Sequence, residues 1–227
     1  MGCDKTYRAE ITFGLTTDTL DGEGTIIAEA DASELSVARV EAALAELTGE
    51  IEMVPPMHSA VWHEGRRLYE IARFRLLEFT AGEQARALAE VECSSGTYVR
   101  SLAAMLGEAL DCPAYLSFLV RTRVGAQRVE DSVTGRELIQ AVRDERVQEL
   151  LRAPQDVLAD WPRIEADRES AVSLCRGMQI EAPEALPVGR RVLVLSEGRL
   201  LCVAEVVGDD GAGLIQPRRV LLSEDDL

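Results

Sequence analysis

The chain has 227 residues, 47% apolar and 28% charged, with 40 acidic against 24 basic side chains and a net charge of −16. That length can bury a core in one large domain or two small ones, and the composition excludes wholesale disorder. No apolar run approaches the roughly 18–20 residues of a membrane-spanning helix, and acidity on this scale argues at first against a phosphate-rich partner.

The N-terminus, MGCDKTYRAE, lacks the basic flank and apolar stretch of a secretory signal. The five cysteines (Cys3, Cys93, Cys112, Cys175, Cys202) form no CxxC pair, which argues against a disulfide framework or zinc site and points to a reducing cytoplasm. The charge is unevenly spread. Residues 1–57 hold 3 bases and 12 acids, residues 58–128 hold 9 and 8, and residues 129–227 hold 12 and 20. The acidity therefore belongs to the flanks, while the middle carries Arg66, Arg67, Arg73, Arg75, Arg100, Arg121, Arg123 and Arg128. Lys5 is the one lysine of the chain, so almost every cation is a planar fork suited to phosphate or carboxylate. A composition bias toward arginine explains the same fact.

In chain order, Tyr7, Ala9, Ile11, Phe13 and Leu15 alternate with polar residues, the pattern of a half-buried strand. TTDTLDGEGT breaks it as a loop. Val37, Val40, Leu44 and Leu47 recur at helical spacing, with Gly49 placed to stop the helix. Pro55 and Pro56 force an extended segment before His58. Leu68, Ile71 and Ala72 suggest a short helix ending near Arg73. Ala87, Ala89, Val91 and Cys93 alternate with charges and predict a second strand running into SSGTYVR. Leu102, Met105, Leu106, Ala109 and Leu110 then mark an amphipathic helix. Thr134 and Glu137 form a T-x-x-E capping box that opens a helix through about Leu151, with Pro154 beyond it.

After Trp161 and Pro162 the pattern changes. A helix over Arg168 to Cys175 ends at Gly177, and Arg191–Leu195, Leu200–Val207 and Leu214–Leu222 read as three short strands joined at Glu197-Gly198 and at GDDGAG. Closely spaced strands with glycine turns predict a small β-barrel, with the domain boundary near Asp160.

Few residues suit metal or nucleophilic chemistry. His58 and His63 lack companions at ligand spacing, and Asp18, Asp21 and Glu23 lack the alternating ligands and closing glutamate of a calcium loop. Cys93 has no well-placed histidine and reads as a small buried hydrophobe. The unit ECSSGTYVRSLAAMLGEAL is more informative. A strand ends, a Ser-Ser-Gly turn follows, and Tyr98 and Arg100 stand at a helix entry. An aromatic beside an arginine suits a nucleobase to be stacked and an anion to be held; a capped helix with a core tyrosine accounts for the same residues.

KTYRAEITFGLTTDTLDGEG, VPPMHSAVWHEGRRLYEIAR, CSSGTYVRSLAAMLGEAL and FLVRTRVG, four motifs in order, give the chain a nearly end-to-end resemblance to TruB-type tRNA pseudouridine synthases. The terminal segment with GLIQPRRVL resembles the PUA-type RNA-binding domain of those enzymes. The resemblance implies an α+β fold. A mixed, largely antiparallel pseudouridine-synthase sheet is flanked by helices and is here incomplete. Residues 1–160 form the catalytic domain and 161–227 the PUA-like barrel. It further implies isomerisation of a T-loop uridine in tRNA to pseudouridine by a cytoplasmic monomer without metal or cofactor. The target base is flipped from the RNA, and a nucleophilic aspartate drives cleavage of the glycosidic bond. By the same resemblance Tyr7 stacks on the base, Tyr98 lies against it and assists loss of the carbon 5 proton, Arg100 fixes the aspartate, and Leu119 lines the uracil pocket. Arg66, Arg67, Arg121 and Arg123 are candidate phosphate contacts.

The sequence departs from the family pattern in three places. The family's aspartate sits in a G-H/Y-x-G-T-L-D-P-like motif upstream of the strand that starts here at Lys5, and no such motif occurs in these residues. DTLDGEG follows Tyr7 and matches the family's own TDTxDxxG loop, so Asp18 and Asp21 map there and not onto the nucleophile. A family segment is missing at Arg73-Phe74, and Trp62 stands where many members have lysine. Met1 accordingly reads as an internal methionine of a longer member. Two readings follow: a shortened synthase, inactive alone, with Arg100 lacking a carboxylate and a sheet edge uncovered; or a catalytically dead RNA-binding remnant. An acidic protein-interaction domain is a third.

Overall fold

The computed structural model describes residues 4–53, 67–183, 186–208 and 213–227, with Arg67 described by its backbone alone. Pro55, Pro56, His58, Trp62, His63 and Arg66 lie outside the described residues. The chain forms two compact units, Met1–Ser132 and Val133–Leu227.

The first unit contains β1 (Lys5–Phe13), β2 (Leu15–Thr17), β3 (Ile26–Glu29), α1 (Val37–Glu46), β4 (Gly49–Met53), β5 (Arg67–Thr80), β6 (Arg86–Cys93), α2 (Val99–Ala109), β7 (Ala114–Val124) and β8 (Gln127–Arg128). Six strands make one antiparallel sheet in the order β4-β5-β6-β1-β7-β8. β1 is interior to it, paired with β6 on one side and β7 on the other. Its alternation is the expected one: Ala9, Ile11 and Phe13 are fully buried, while Arg8 is exposed. β6 repeats the pattern, burying Ala87, Ala89, Val91 and Cys93. Helix α2 packs against β7 and β1, and α1 against β5, so the apolar face of the sheet and both helices share one core.

Three expectations fail for identifiable reasons. The short helix expected at residues 68–73 is instead the first half of the fourteen-residue strand β5. Leu68 is 69% exposed while Tyr69 and Ile71 are buried, a two-residue period that the Leu68/Ile71/Ala72 spacing concealed. Pairing with β4 and β6 on its two sides fixes the extended form. The strand continues through Arg73-Phe74, with a register shift between Ile71 and Arg73. The helix opened by the observed Thr134–Glu137 capping box ends at Arg143, not near Leu151. It closes in a Schellman motif, Arg146 N–H to the Ala141 carbonyl and Glu145 N–H to Val142, with Glu145 at φ 56°. Gly49 does not cap α1, whose C-cap is Leu47; at φ +107° it begins β4.

The second unit contains α3 (Gly135–Arg143), α4 (Pro154–Val157), β9 (Arg163–Glu165), α5 (Arg168–Cys175), β10 (Ile180–Glu181), β11 (Arg191–Ser196), β12 (Arg199–Val207) and β13 (Leu214–Val220). Its sheet runs β10-β13-β12-β11-β9, with β9 parallel to β11 and the other pairs antiparallel. The α5 helix and the three longer strands stand where the sequence places them. Gly177 (φ +79°) closes α5, and Glu197 and Gly198 (φ 51° and 73°) make the β11–β12 hairpin turn. β9 and β10, of three and two residues, were too short to read from periodicity. Among the described residues no helix is long and apolar enough to cross a membrane.

A close helix–strand approach is at Gly107 of α2, where a Cβ would stand 2.7 Å from both the Ala114 Cβ and the Cys112 carbonyl oxygen. Gly107→Ala should lower stability by about 1–3 kcal/mol, although alanine by itself favours a helix by roughly 1 kcal/mol over glycine. The midpoint of urea unfolding would fall; a raised midpoint would show that propensity outweighs the clash.

Candidate active site

Three structural elements of the first unit converge on the residues singled out above. β1 begins with Lys5, Thr6 and Tyr7, and Lys5 lies opposite Cys93 at the end of β6. The chain then turns through Ser94–Thr97, where the Thr97 hydroxyl donates to the Ser94 carbonyl at 2.9 Å. Tyr98 is the N-cap of α2, in extended backbone and with no side-chain capping bond. Tyr7 and Tyr98 are both half-buried against the main core. Arg100 follows in the first turn of the helix.

Arg100 has a carboxylate, contrary to the expectation that it would lack one. Its Nη1 lies 2.8 Å from Asp21 Oδ2. The loop between β2 and β3 delivers that aspartate by local hydrogen bonding. The Thr19 hydroxyl (2.7 Å) and the Glu23 backbone N–H (3.1 Å) both donate to Asp21 Oδ1, and the Thr17 hydroxyl donates to the Asp21 carbonyl (2.7 Å). Asp18 ties the loop's other end, its Oδ1 accepting from the Thr25 N–H at 2.8 Å. Leu20 takes φ 62°, and Gly24 leaves room for Thr19 and Asp18, whose side-chain oxygens would lie 2.3 and 2.5 Å from a Cβ there. An isolated bridge from Asp21 to Leu116 and a Leu116 N–H to Leu20 carbonyl bond (3.1 Å) anchor the loop on β7. The bond from Thr19, then those from Glu23 and Arg100, hold the Asp21 carboxyl below its ordinary value. The ion pair is partly solvated on both sides, with side chains 29% and 22% exposed.

β7 supplies the rest. Leu119 lies opposite Ala9 and is 40% exposed, an apolar surface one strand from Tyr7. Alternation alone puts Arg121 and Arg123 on one face, yet a register shift beside Thr6 and Tyr7 separates them. Arg121 faces Tyr7 and is exposed. Arg123 pairs with Thr6 and turns to the opposite face, donating to Thr6 Oγ1 (3.0 Å), the Gly125 carbonyl (3.1 Å) and Glu92. There it belongs to a charge ladder in which Arg73 and Arg75 both reach Glu90. Burial, with the neighbouring Cys93, raises the Tyr7 phenol, and the Arg121 guanidinium opposes that rise. Cys93 itself is buried and its thiol is pushed up by burial, which suits packing and not nucleophilic attack. No group of three or more metal-ligating side chains occurs among the described residues. Sequence reasoning missed the partnership of Asp21 with Arg100, 79 residues apart, because no local periodicity encodes it.

Asp21→Ala should cost stability toward the lower end of the roughly 1.5–3 kcal/mol that hydrogen bonds to charged groups carry, since solvent reaches both partners. Asp21's folded pKa lies below the ordinary 3.8, so its contribution is complete above that value and is lost as pH falls through the lowered one. Hydrogen exchange at the Glu23 amide should therefore stay protected down to about 3.8 and accelerate below it; protection that ignores pH there would remove Asp21 as the clasp.

A family model described as TruB family pseudouridylate synthase (N terminal domain) matches residues 1–99. The tRNA pseudouridine synthase B of Symbiobacterium thermophilum is 42% identical over 193 residues, covering 78% of this chain and 62% of its own length. That of Pelotomaculum thermopropionicum is 37% identical over 233 residues, covering 93% and 71%. The chain thus spans less than two thirds of the first of these relatives and somewhat more of the second. Among solved structures, a Cbf5–Nop10–Gar1 complex matches with a TM-score of 0.76 at 19% identity, over 99% of this chain and 68% of that one. An H/ACA RNP bound to a substrate RNA containing 2′-deoxyuridine matches with 0.73 at 17%, over 99% and 68%. At those identities the structures establish the fold; sequence identity above 30% across most of both chains establishes the lineage, and this chain belongs to the TruB family of tRNA pseudouridine synthases, a family of isomerases.

Proposed function

We propose that this protein serves the isomerisation of a T-loop uridine in tRNA to pseudouridine, with the first unit holding the base and the C-terminal residues from about Trp161 acting as a PUA-like RNA-binding domain. The observation that most supports this reading is the junction of β6 with α2, where Tyr98 caps the helix without using its side chain and Arg100 already grips a carboxylate. A flipped pyrimidine needs π-faces and a dry wall, which Tyr7, Tyr98 and Leu119 supply. A nucleophilic carboxylate needs an oriented cation, which Arg100 supplies. Tyr98 also assists removal of the carbon 5 proton.

The phosphate backbone falls to the arginines. Arg121 is the open one of the described pair, since Arg123 is engaged by Glu92; Arg66 and the Arg67 side chain lie outside the described residues. The protein acts on tRNA as a cytoplasmic monomer.

The 227 residues contain no match to the family's G-x-x-G-T-L-D-P nucleophile motif, and Asp21 is committed to the loop as well as to Arg100. These residues assayed alone should bind tRNA without releasing tritium from carbon 5 of its uridines, the behaviour of a binding remnant. Turnover well above background would place a nucleophile among them, with Asp21→Asn the variant to try first. Affinity should fall steeply with salt, and Arg121→Gln should flatten the slope of log K against log salt by close to one contact's share, roughly 0.7–0.9. Salt-independent binding would defeat the RNA reading.

A further inference from the structure

The bulge in β7 does more than separate two arginines. Arg121 is the direct cross-strand partner of Tyr7, while the ladder before the bulge pairs Arg123 with Thr6. The consequence is that each arginine is matched to a different acceptor. Arg123 is consumed by Thr6, Gly125 and Glu92 on the polar face. Arg121 meets no carboxylate among the ion pairs of the described residues and stands directly across from Tyr7, whose phenol its guanidinium holds down against the rise caused by burial. Cross-strand partners on one sheet face stand close enough for long side chains to touch. A planar fork can hold a phenol oxygen with one edge and leave its other N–H groups outward.

We propose that Arg121 is a positioning residue for Tyr7, its guanidinium holding the phenol so that the ring keeps the plane on which a pyrimidine stacks. This rests on the base-stacking role given to Tyr7 above. Tyr7 is near the start of the interior strand β1, half-buried, with Val91 opposite it on β6 and Cys93 nearby. The wall on the β6 side is therefore apolar, and a polar tether on the β7 side is what fixes the ring. Burial alone leaves a tyrosine free to rotate about its χ angles wherever its rim is open; a hydrogen bond at the far end of the ring removes that freedom.

The experiment has two arms. In the first, the 227-residue chain is labelled with ring-13C tyrosine, and the four tyrosine signals are followed by NMR, Tyr7 being assigned through Tyr7→Phe. In Arg121→Gln the Tyr7 signal should move and its phenol should ionise at higher pH, while Tyr69, Tyr98 and Tyr115 stay in place as the check on folding. Arg121→Lys should restore the signal in part. A Tyr7 signal that ignores both substitutions overturns the proposal. In the second arm, a T-arm RNA hairpin carries 2-aminopurine at the target position, and its quenching reports stacking. Tyr7→Ala should weaken binding on the order of tenfold, and Arg121→Gln should lose quenching too. With RNA saturating, the double variant should quench no less than Tyr7→Ala alone, because positioning acts only through the ring, whereas the phosphate contact is read in affinity and its salt slope. Additive losses of quenching in the bound RNA would show Arg121 acting on the base independently of Tyr7 and overturn the positioning role. If the unaltered chain neither binds nor quenches, the base-binding reading falls, while the NMR arm still decides whether Arg121 holds Tyr7.

Discussion

The close approach of α2 to the sheet is the constraint on which the rest of the first unit depends. It is achieved with small residues on both sides. The sheet offers Ala9 on β1 and Ala114 on β7, both buried, and the helix offers Ala103 and Gly107, the latter within reach of Ala114. Larger side chains would lift the helix away and move its first turn with it. Because that turn carries Tyr98 and Arg100, core packing and site geometry are one problem. The interior position of β1 closes the argument: its two neighbouring strands leave it no freedom to slip, since a one-residue shift would turn Ala9, Ile11 and Phe13 out of the core.

Around this rigid frame the site is assembled from segments that have no regular structure of their own. The loop between β2 and β3 is held by side-chain–backbone bonds at Thr17, Asp18 and Asp21 and by the Thr19 hydroxyl's bond to the Asp21 carboxylate, and a long-range ion pair ties it to Arg100. A loop so tied presents a carboxylate at fixed geometry without being part of the sheet. The bulge in β7 works in a comparable way, since one extra residue redirects Arg121 toward Tyr7 and sends Arg123 into the charge ladder on the far face. That ladder also changes the meaning of the arginine-rich middle of the chain. Arg73, Arg75 and Arg123 are occupied by Glu90 and Glu92, so a local balance near zero reflects internal pairing as much as surface offered to a polyanion.

Much of the architecture is legible along the chain because local signals and tertiary demands agree there. β1 and β6 alternate with period two, α2 shows one apolar stripe, α3 opens with a capping box, and Gly177 closes α5. Where they disagree, tertiary pairing wins. Residues 68–73 carry a spacing compatible with a helix, yet two neighbouring strands hold them extended. Asp111 and Glu145 end α2 and α3 at φ 52° and 56°, so the closing motif that a glycine advertises at α5 is invisible where a larger residue adopts it.

For the site, residue types at a helix entry pointed to Tyr98 and Arg100, because the chemistry of stacking and charge holding restricts which side chains serve; Tyr7 and Leu119 were pointed to only by the resemblance to the family. The sequence by itself also determined the lineage, since that rests on motif order. Only the tertiary structure decided who partners whom. Arg100 meets Asp21 across 79 positions, and Arg121 and Arg123, two residues apart, part company at a bulge. The reason is physical: ion pairs and bulges are set by the register of strands distant in sequence, and no periodicity within one segment carries that information.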